Sequence, residues 1–283
     1  MIGADYAQVD GNKIDPTAAV KAGIAFVFMR AAWGTLIDPV RKDIDRWREA
    51  GAVVGLYAYC RVPKVGGPPV PRPEVQMRAA IDAVGELDHR DMPFILDVEE
   101  ENPALSPRDL HNWYHDAWKA LADRYGTAPI EYTSQRYQHE VLHDIPPGEM
   151  SESPLWLARY PFKERTQGHL DLSWIADPPV PAAWGDSDDC WIHQAQGDAI
   201  GVPGFSNTVD LNRFRYLTTG SRGDRVRWVQ RRLGAHEDGV YGNQTSQAVV
   251  LFQSAQGLDP DNKIGPATFA RLCWAGAERP ITG

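Results

Sequence analysis

Short apolar runs alternate with stretches of helical period through the first 145 residues. Ile2–Asp5, Ala25–Ala31, Val53–Cys60, Met92–Glu99 and Pro129–Thr133 read as strands, and residues near 16–22, 40–50, 73–87, 106–125 and 134–142 as helices. The clearest helix start is Ser106-Pro107-Arg108-Asp109, where a hydroxyl cap precedes Pro at the first helical position and an acid in the first turn. Leu110, Trp113, Tyr114, Ala117, Leu121 and Tyr125 then recur on one face. Beyond about residue 150 the helical period stops. Pro154–Ala158, Cys190–Ala195 and Val209–Phe214 are strand-like, joined by Pro- and Asp-rich pieces such as Asp177-Pro178-Pro179-Val180-Pro181. The pattern predicts an α/β fold: an irregular, incomplete (β/α) barrel of five βα units plus three short strands, closed by hairpins.

A different pattern begins at Thr218-Thr219-Gly220-Ser221, a small-polar linker. After it, Asp238-Gly239-Val240-Tyr241-Gly242-Asn243-Gln244-Thr245 is echoed by Asp261-Asn262-Lys263-Ile264-Gly265-Pro266-Ala267-Thr268, 23 positions on. Each copy runs from an acidic turn through Gly into a helix start. This predicts a small all-α, three-helix C-terminal domain, so the expected organisation is 1–217, a linker at 218–221, and 222–283. A chain ending near Tyr216 is accordingly expected to fold by itself.

The 283 residues are 43% hydrophobic and 24% charged, a globular composition. The longest apolar stretch, Ala52–Cys60, is too short to span a bilayer, so no membrane insertion is expected. Cys60, Cys190 and Cys273 are odd in number and far apart, which makes no disulfide framework and no C-x-x-C site. The net charge of −9 is uneven, with eight Lys/Arg against six acids in residues 220–283. Arg222, Arg225, Arg227, Arg231 and Arg232 crowd together there, yet an acidic chain without a reading motif points to no nucleic-acid partner.

The chemistry concentrates at the strand ends. Asp97 and Glu99 alternate with Leu96 and Val98, so both acids project to one face at the C-terminal end of their strand. In a βα barrel that end forms the floor of the active site. Two carboxylates in unequal surroundings can divide acid and charge-stabilising roles, as glycosidic cleavage requires. Glu100 points to the opposite face and is expected to stand outside the site. Asp5 ends the first strand and Asp210 lies in the last, and first and last strands neighbour each other in a closed barrel. Tyr57, Tyr59, Tyr132, Trp156 and Trp191, near other strand ends, would offer flat faces to sugar rings. His111 and His115 have zincin spacing, but Asn112 replaces the Glu between them. Asp259–Lys263 begins like a calcium loop, but position twelve would be Ala270. No metal and no cofactor are expected.

The order of Asp5-Tyr6…Gln8, Phe26–Ala31, Gly55-Leu56-Tyr57-Ala58-Tyr59, Leu96-Asp97-Val98-Glu99, Tyr132-Thr133-Ser134, Pro154–Ala158 and Val209-Asp210-Leu211-Asn212 resembles glycoside hydrolase family 25, the Chalaropsis-type lysozymes, over residues 1–216. The resemblance implies N-acetylmuramidase activity. It places Glu99 as proton donor, Asp97 as the carboxylate assisting the substrate's acetamido group, and Asp5 and Asp210 in support. Gln194, in Trp191-Ile192-His193-Gln194, joins the substrate-binding candidates, although the family often has consecutive aromatics before that Gln. Gly220–Leu272 is similar to the three-helix peptidoglycan-binding domain, through Val226…Val229-Gln230-Arg231-Arg232-Leu233, the repeat, and Ala248-Val249…Phe252-Gln253.

The implied partner is bacterial peptidoglycan, and a monomer is expected. The rival readings are a stem-peptide amidase or peptidase, which would need a zinc triad or Cys/His pair, and a non-catalytic wall-binding protein. Residues 1–5 carry no leader pattern. The expectation is therefore synthesis in the cytoplasm and action on the wall after release, as in a phage endolysin, or after export, as in a bacterial wall-remodelling muramidase.

Overall fold

The computed structural model describes residues 1–7, 13–143, 153–162, 165–181 and 190–275. Gln8 of the first motif lies outside them, as do residues 276–283 of the expected C-terminal domain. Among the described residues there are nine strands: β1 (Ile2–Tyr6), β2 (Ile24–Trp33), β3 (Leu36–Ile37), β4 (Val53–Tyr59), β5 (Ile95–Asp97), β6 (Ile130–Ser134), β7 (Leu155–Ala158), β8 (Cys190–Ala199) and β9 (Val209–Phe214). Five helices intervene: α1 (Pro16–Lys21), α2 (Arg41–Ala50), α3 (Pro73–Val84), α4 (Pro107–Tyr125) and α5 (Gln135–Glu140).

The sheet runs β1-β9-β8-β7-β6-β5-β4-β2-β3, and a β1–β2 pairing closes eight of the strands into a barrel. The strands from β1 and β2 through β8 run parallel except for β3, while β9 is antiparallel to both β1 and β8. The β3 edge escaped the sequence pattern because both of its residues are exposed and have no period to show. The strand expected over Met92–Glu99 pairs only over Ile95–Asp97. Pro93 has no N–H to give a ladder.

Period-two alternation sorts the side chains into two layers. Val27, Met29, Leu56, Leu96, Val98, Leu157 and Leu211 point outward into the core under the helices. Phe26, Phe28, Ile95, Ile130, Tyr132, Trp156 and Phe214 fill the barrel. Two inward positions are glycine for want of room. A Cβ on Gly3 would lie 2.3 Å from the Phe26 ring, and one on Gly55 2.5 Å from Phe28. On the outer layer, α4 keeps its expected start: Ser106 Oγ accepts from the Asp109 N–H, and Gly126 ends the helix in a left-handed conformation.

Three further helices, α6 (Asp224–Leu233), α7 (Asn243–Ala255) and α8 (Pro266–Trp274), follow Leu217. The repeat there has a mechanical basis. Gln230 Nε2 donates to Asp238 Oδ1, Val240 O and Thr245 Oγ1 while its Oε1 accepts from Gly239 N–H. Gln253 does the same with Asp261, Lys263, Thr268 and Asn262.

These helices do not hang on a loose linker. The Trp191 ring packs against Trp228 and Phe269 at 5.2 and 4.5 Å, and Phe214 meets Phe269 at 5.5 Å. The Trp274 indole N–H donates to Asp91 O, and the Thr127 hydroxyl to Cys273 O. Thr218 and Gly220 are themselves tied, to Ser221 and Tyr241. The helical unit is the floor beneath the barrel, at the N-terminal ends of the parallel strands. Part of the arginine cluster serves that floor: Arg225 is buried, donates to Arg215 O and lies over the Trp191 ring.

Candidate active site

The opposite end of the barrel holds the acids. Asp5 and Asp210 are register partners across β1 and β9, and Asp97 ends β5 on the inward face. Glu99 follows two residues later, partly exposed at the rim. Carboxylates from the first, middle and last barrel strands thus share one mouth.

Asp5 is buried and its Oδ1 accepts from Gln194 Nε2 at 2.8 Å and Asn212 Nδ2 at 2.7 Å. Burial nevertheless dominates and pushes its carboxyl up to about 6, with Glu99's charge adding to the rise. Burial is also the main cause at Glu99, raised to about 7, followed by the charge of Asp210. Asp97 is raised well above the ordinary carboxylate range by burial, then by Glu99 and Asp5, against the pull of the Arg30 guanidinium. Asp97 Oδ1 is buried and accepts no hydrogen bond among the described residues. A buried acceptor of that kind is rare in folded proteins. Asp210 accepts from Gln194 Nε2 at 3.3 Å and from the Asp198 N–H at 2.7 Å. Bulges in β8 after Gln194 and Gln196 bring that backbone within reach.

The aromatic candidates divide. Tyr59, partly exposed, stands beside Asp97, Glu100 and Glu99, with Trp33 at 6.3 Å. Tyr57 lies one layer deeper and feels Asp5 and Asp97. Tyr132 is buried, and its hydroxyl donates to Gln194 Oε1 at 2.8 Å. Trp156 is 1% exposed, so no sugar can stack on it. It is a support instead: its N–H donates to Asn212 Oδ1 at 2.7 Å, and Asn212 holds Asp5. Trp191 is corrected outright. It begins β8 at the floor, packed on the C-terminal helices, at the opposite end of the barrel from the acids. As the second residue of a strand that starts at Cys190, Trp191 stands at the N-terminal end, away from the C-terminal ends that form the mouth.

Glu100 is also more than a solvated neighbour. It is 2% exposed and pairs with Arg61 at 3.2 Å and with Lys64. Arg61 in turn lies 4.2 Å over the Trp33 ring. Arg30, Trp33, Tyr160 and Asn212 were not singled out as site residues. Arg30 and Asn212 share the inward parity of Phe28 and Asp210, which was the available signal. Tyr160 had none, as it follows β7 in a loop. Its hydroxyl donates to Gln194 Oε1 at 2.6 Å. A cleft of about 800 Å³ opens from Glu99 past Ser134, Tyr137 and Tyr160. Among the described residues no group of His, Cys, Asp and Glu is arranged to hold a metal ion, and no helix is long and apolar enough to cross a membrane.

The family model for glycosyl hydrolases family 25 matches residues 5–199, and that for the peptidoglycan binding domain matches residues 222–272. Among solved structures, a bacterial lysozyme from Streptomyces coelicolor superposes with a TM-score of 0.61 at 21% identity, over 76% of this chain and 92% of that one. A family 25 lysozyme from Aspergillus fumigatus gives 0.58 at 23% identity, over 76% and 93%. Both likenesses concern the fold. A zinc D-Ala-D-Ala carboxypeptidase from Streptomyces albus G is 41% identical over 64 residues, 20% of this chain. The chain spans 25% of that relative's length, and 58% of a second curated relative's, from Kitasatospora aureofaciens.

Proposed function

The chain belongs to glycosyl hydrolases family 25, and from that premise we propose that it is an N-acetylmuramidase cutting the β-1,4 bond between N-acetylmuramic acid and N-acetylglucosamine of bacterial peptidoglycan. It is a glycoside hydrolase with a peptidoglycan-binding domain. The observation that carries the bond assignment is the placing of Asp97 and Glu99 at one barrel mouth, with the two carboxyls in unequal surroundings.

Glu99, raised to about 7, keeps its proton in about half of the molecules at neutral pH and is placed at the rim, where a leaving oxygen can take it. As the bond breaks, positive charge develops on the sugar. Asp97 lies below, and its unpartnered Oδ1 is a ready acceptor for the N–H of the substrate's acetamido group. Holding that group directs its carbonyl oxygen to the anomeric carbon as the leaving group departs. Asp5 and Asp210 keep the mouth electronegative and favour a cationic transition state. Tyr59 and Trp33 supply the exposed aromatic rim.

The domain division is 1–217 for hydrolysis and 222–283 for wall binding, with 218–221 between. Holding the enzyme on the wall raises the local substrate concentration without adding catalytic contacts. A modular endolysin-type enzyme, reaching the wall after release or export, fits that division. The deciding measurement is mass spectrometry of borohydride-reduced wall digests. Muramitol ends are expected. Glucosaminitol ends, or free stem peptides, would refute the assignment.

A further inference from the structure

The helix α7 differs in chemistry from its surroundings. Its thirteen residues, Asn243–Ala255, include no Asp, Glu, Lys or Arg, where a chain that is 24% charged would place about three. Gln244, Gln247, Leu251 and Ser254 recur at spacings of three and four, so they form one stripe, and all four are exposed. Leu251 is 71% exposed. A single exposed leucine is ordinary, but the solvent face of a helix ordinarily mixes charged residues with polar ones.

The stripe is not used inside the fold. Helix α7 turns Thr245 and Gln253 inward, where Thr245 meets Gln230 and Gln253 meets Asp261 and Thr268. The C-terminal unit reaches the barrel through Trp228 of α6 and through Phe269 and Trp274 of α8. The arginines that α6 exposes, Arg227 and Arg231, are paired with Asp224 and Glu237. Among the described residues the Gln244 and Gln247 amides meet no hydrogen-bond partner. The stripe is thus an open, uncharged face on a unit that matches the peptidoglycan binding domain over 222–272.

We infer that this stripe is the surface by which the C-terminal unit holds peptidoglycan, and that what it holds is the glycan strand and not the stem peptide. A strand of N-acetylated sugars is uncharged once its lactyl carboxyls are taken up in peptide links. Its hydroxyl and acetamido groups both donate and accept, as a primary amide does with two N–H donors and two lone pairs. Leu251 covers the C–H face of a ring. The free carboxylates of a stem peptide would call instead for charged partners. The face also lies at the far end of the molecule from the acids. Met1 lies against Gly265 at the floor, and Asp5 at the mouth is about 13 Å further along β1. A strand held on α7 therefore adds no contact at the mouth. The inference rests on the wall-binding reading of residues 222–283.

The test uses the full chain carrying Glu99→Gln, so that wall is bound but not digested. Co-sedimentation with purified sacculi gives Kd for this parent and for the same chain with Gln244→Ala, Gln247→Ala and Leu251→Ala added. Exposed helix positions accept alanine without loss of fold, which melting curves verify. Kd should rise about 10- to 100-fold, the worth of two hydrogen bonds and a covered leucine. The deficit should persist on glycan strands stripped of peptide by an amidase. His236→Ala, exposed on the first turn of the repeat, should bind as the parent does. With Glu99 restored, the triple variant should keep the wild-type kcat on soluble fragments.

A triple variant that binds sacculi as tightly as the parent overturns the inference, and so does a deficit that vanishes once the peptides are removed. A parent that does not sediment with sacculi at all would instead overturn the wall-binding reading.

Discussion

Asp5 and Asp210 stand directly opposite each other where β9 runs antiparallel to β1, with the Gln194 amide donating to both. Directly opposed Cβ atoms in such a pair lie about 4.5–5.5 Å apart, and like charges there are destabilising. With Asp97 and Glu99 in the same mouth, this end of the barrel is arranged for chemistry at a cost in stability. The predictions below follow from that crowding and from what lies beneath it.

Glu99→Gln keeps the shape and hydrogen-bonding reach of the side chain but cannot donate a carboxylic proton. Wall-clearing rates should fall by about 10²–10⁴-fold, the usual worth of general acid–base catalysis. Asp97→Asn should also lose a large factor, by turning one of the two oxygens available to hold the acetamido N–H into a donor that opposes it. Asp123→Asn, in an exposed pair with Lys119 on α4, is the control and should leave the rate near wild type. A dead control beside an active Glu99→Gln would show that the acid has been misassigned.

Glu100→Gln should act on stability more than on chemistry. It leaves Arg61 and Lys64 facing a neutral group in a buried setting. The expected loss is about 1–3 kcal/mol, read from urea unfolding. Because Arg61 also covers Trp33, KM should rise more than kcat falls. Unchanged urea midpoints would mean that the ion pair contributes nothing net.

Glu99 is raised from 4.5 to about 7, and Asp5 from 3.8 to about 6. An acid raised on folding contributes stability that is complete below its unfolded value and lost as pH climbs through its folded one. The thermal-stability advantage of Glu99→Gln over wild type should therefore grow from about pH 4.5 to 7 and level off above. Melting curves across that range check it. A constant difference would show that Glu99 titrates normally. The alkaline limb of wild-type activity should fall near the same pH of about 7.

Truncation after Leu217 should cost the barrel its floor. The expectation of an independently folding first domain came from a polar linker, but Trp191 and Phe214 pack directly on Trp228 of α6 and Phe269 of α8. Phe269→Ala in the full chain should cost about 3–5 kcal/mol. Barrel and helices should still melt in a single calorimetric transition. Two separate transitions, or a truncated chain as stable as the whole, would show that the floor does not support the barrel.

The eight barrel strands, the long α4 with its Ser106 cap, the inward parity of Asp97 and the 23-residue repeat were all legible in the sequence. Each is written in a local period of 2 or 3.6 residues, or in a cap within one turn. Where the strands end up was not. Gln194 meets Asp5 across 189 positions and Tyr132 across 62, through bulges in β8 that no alternation reveals. Trp156 and Trp191 look equivalent along the chain, as aromatics near strand starts. Closure of the barrel buries the first beneath the acids and the docked helices cover the second at the other end. Local periodicity determines which face a side chain takes. The height it occupies in the barrel, and the residue across from it, depend on register and closure, which are set by contacts between segments far apart in the chain.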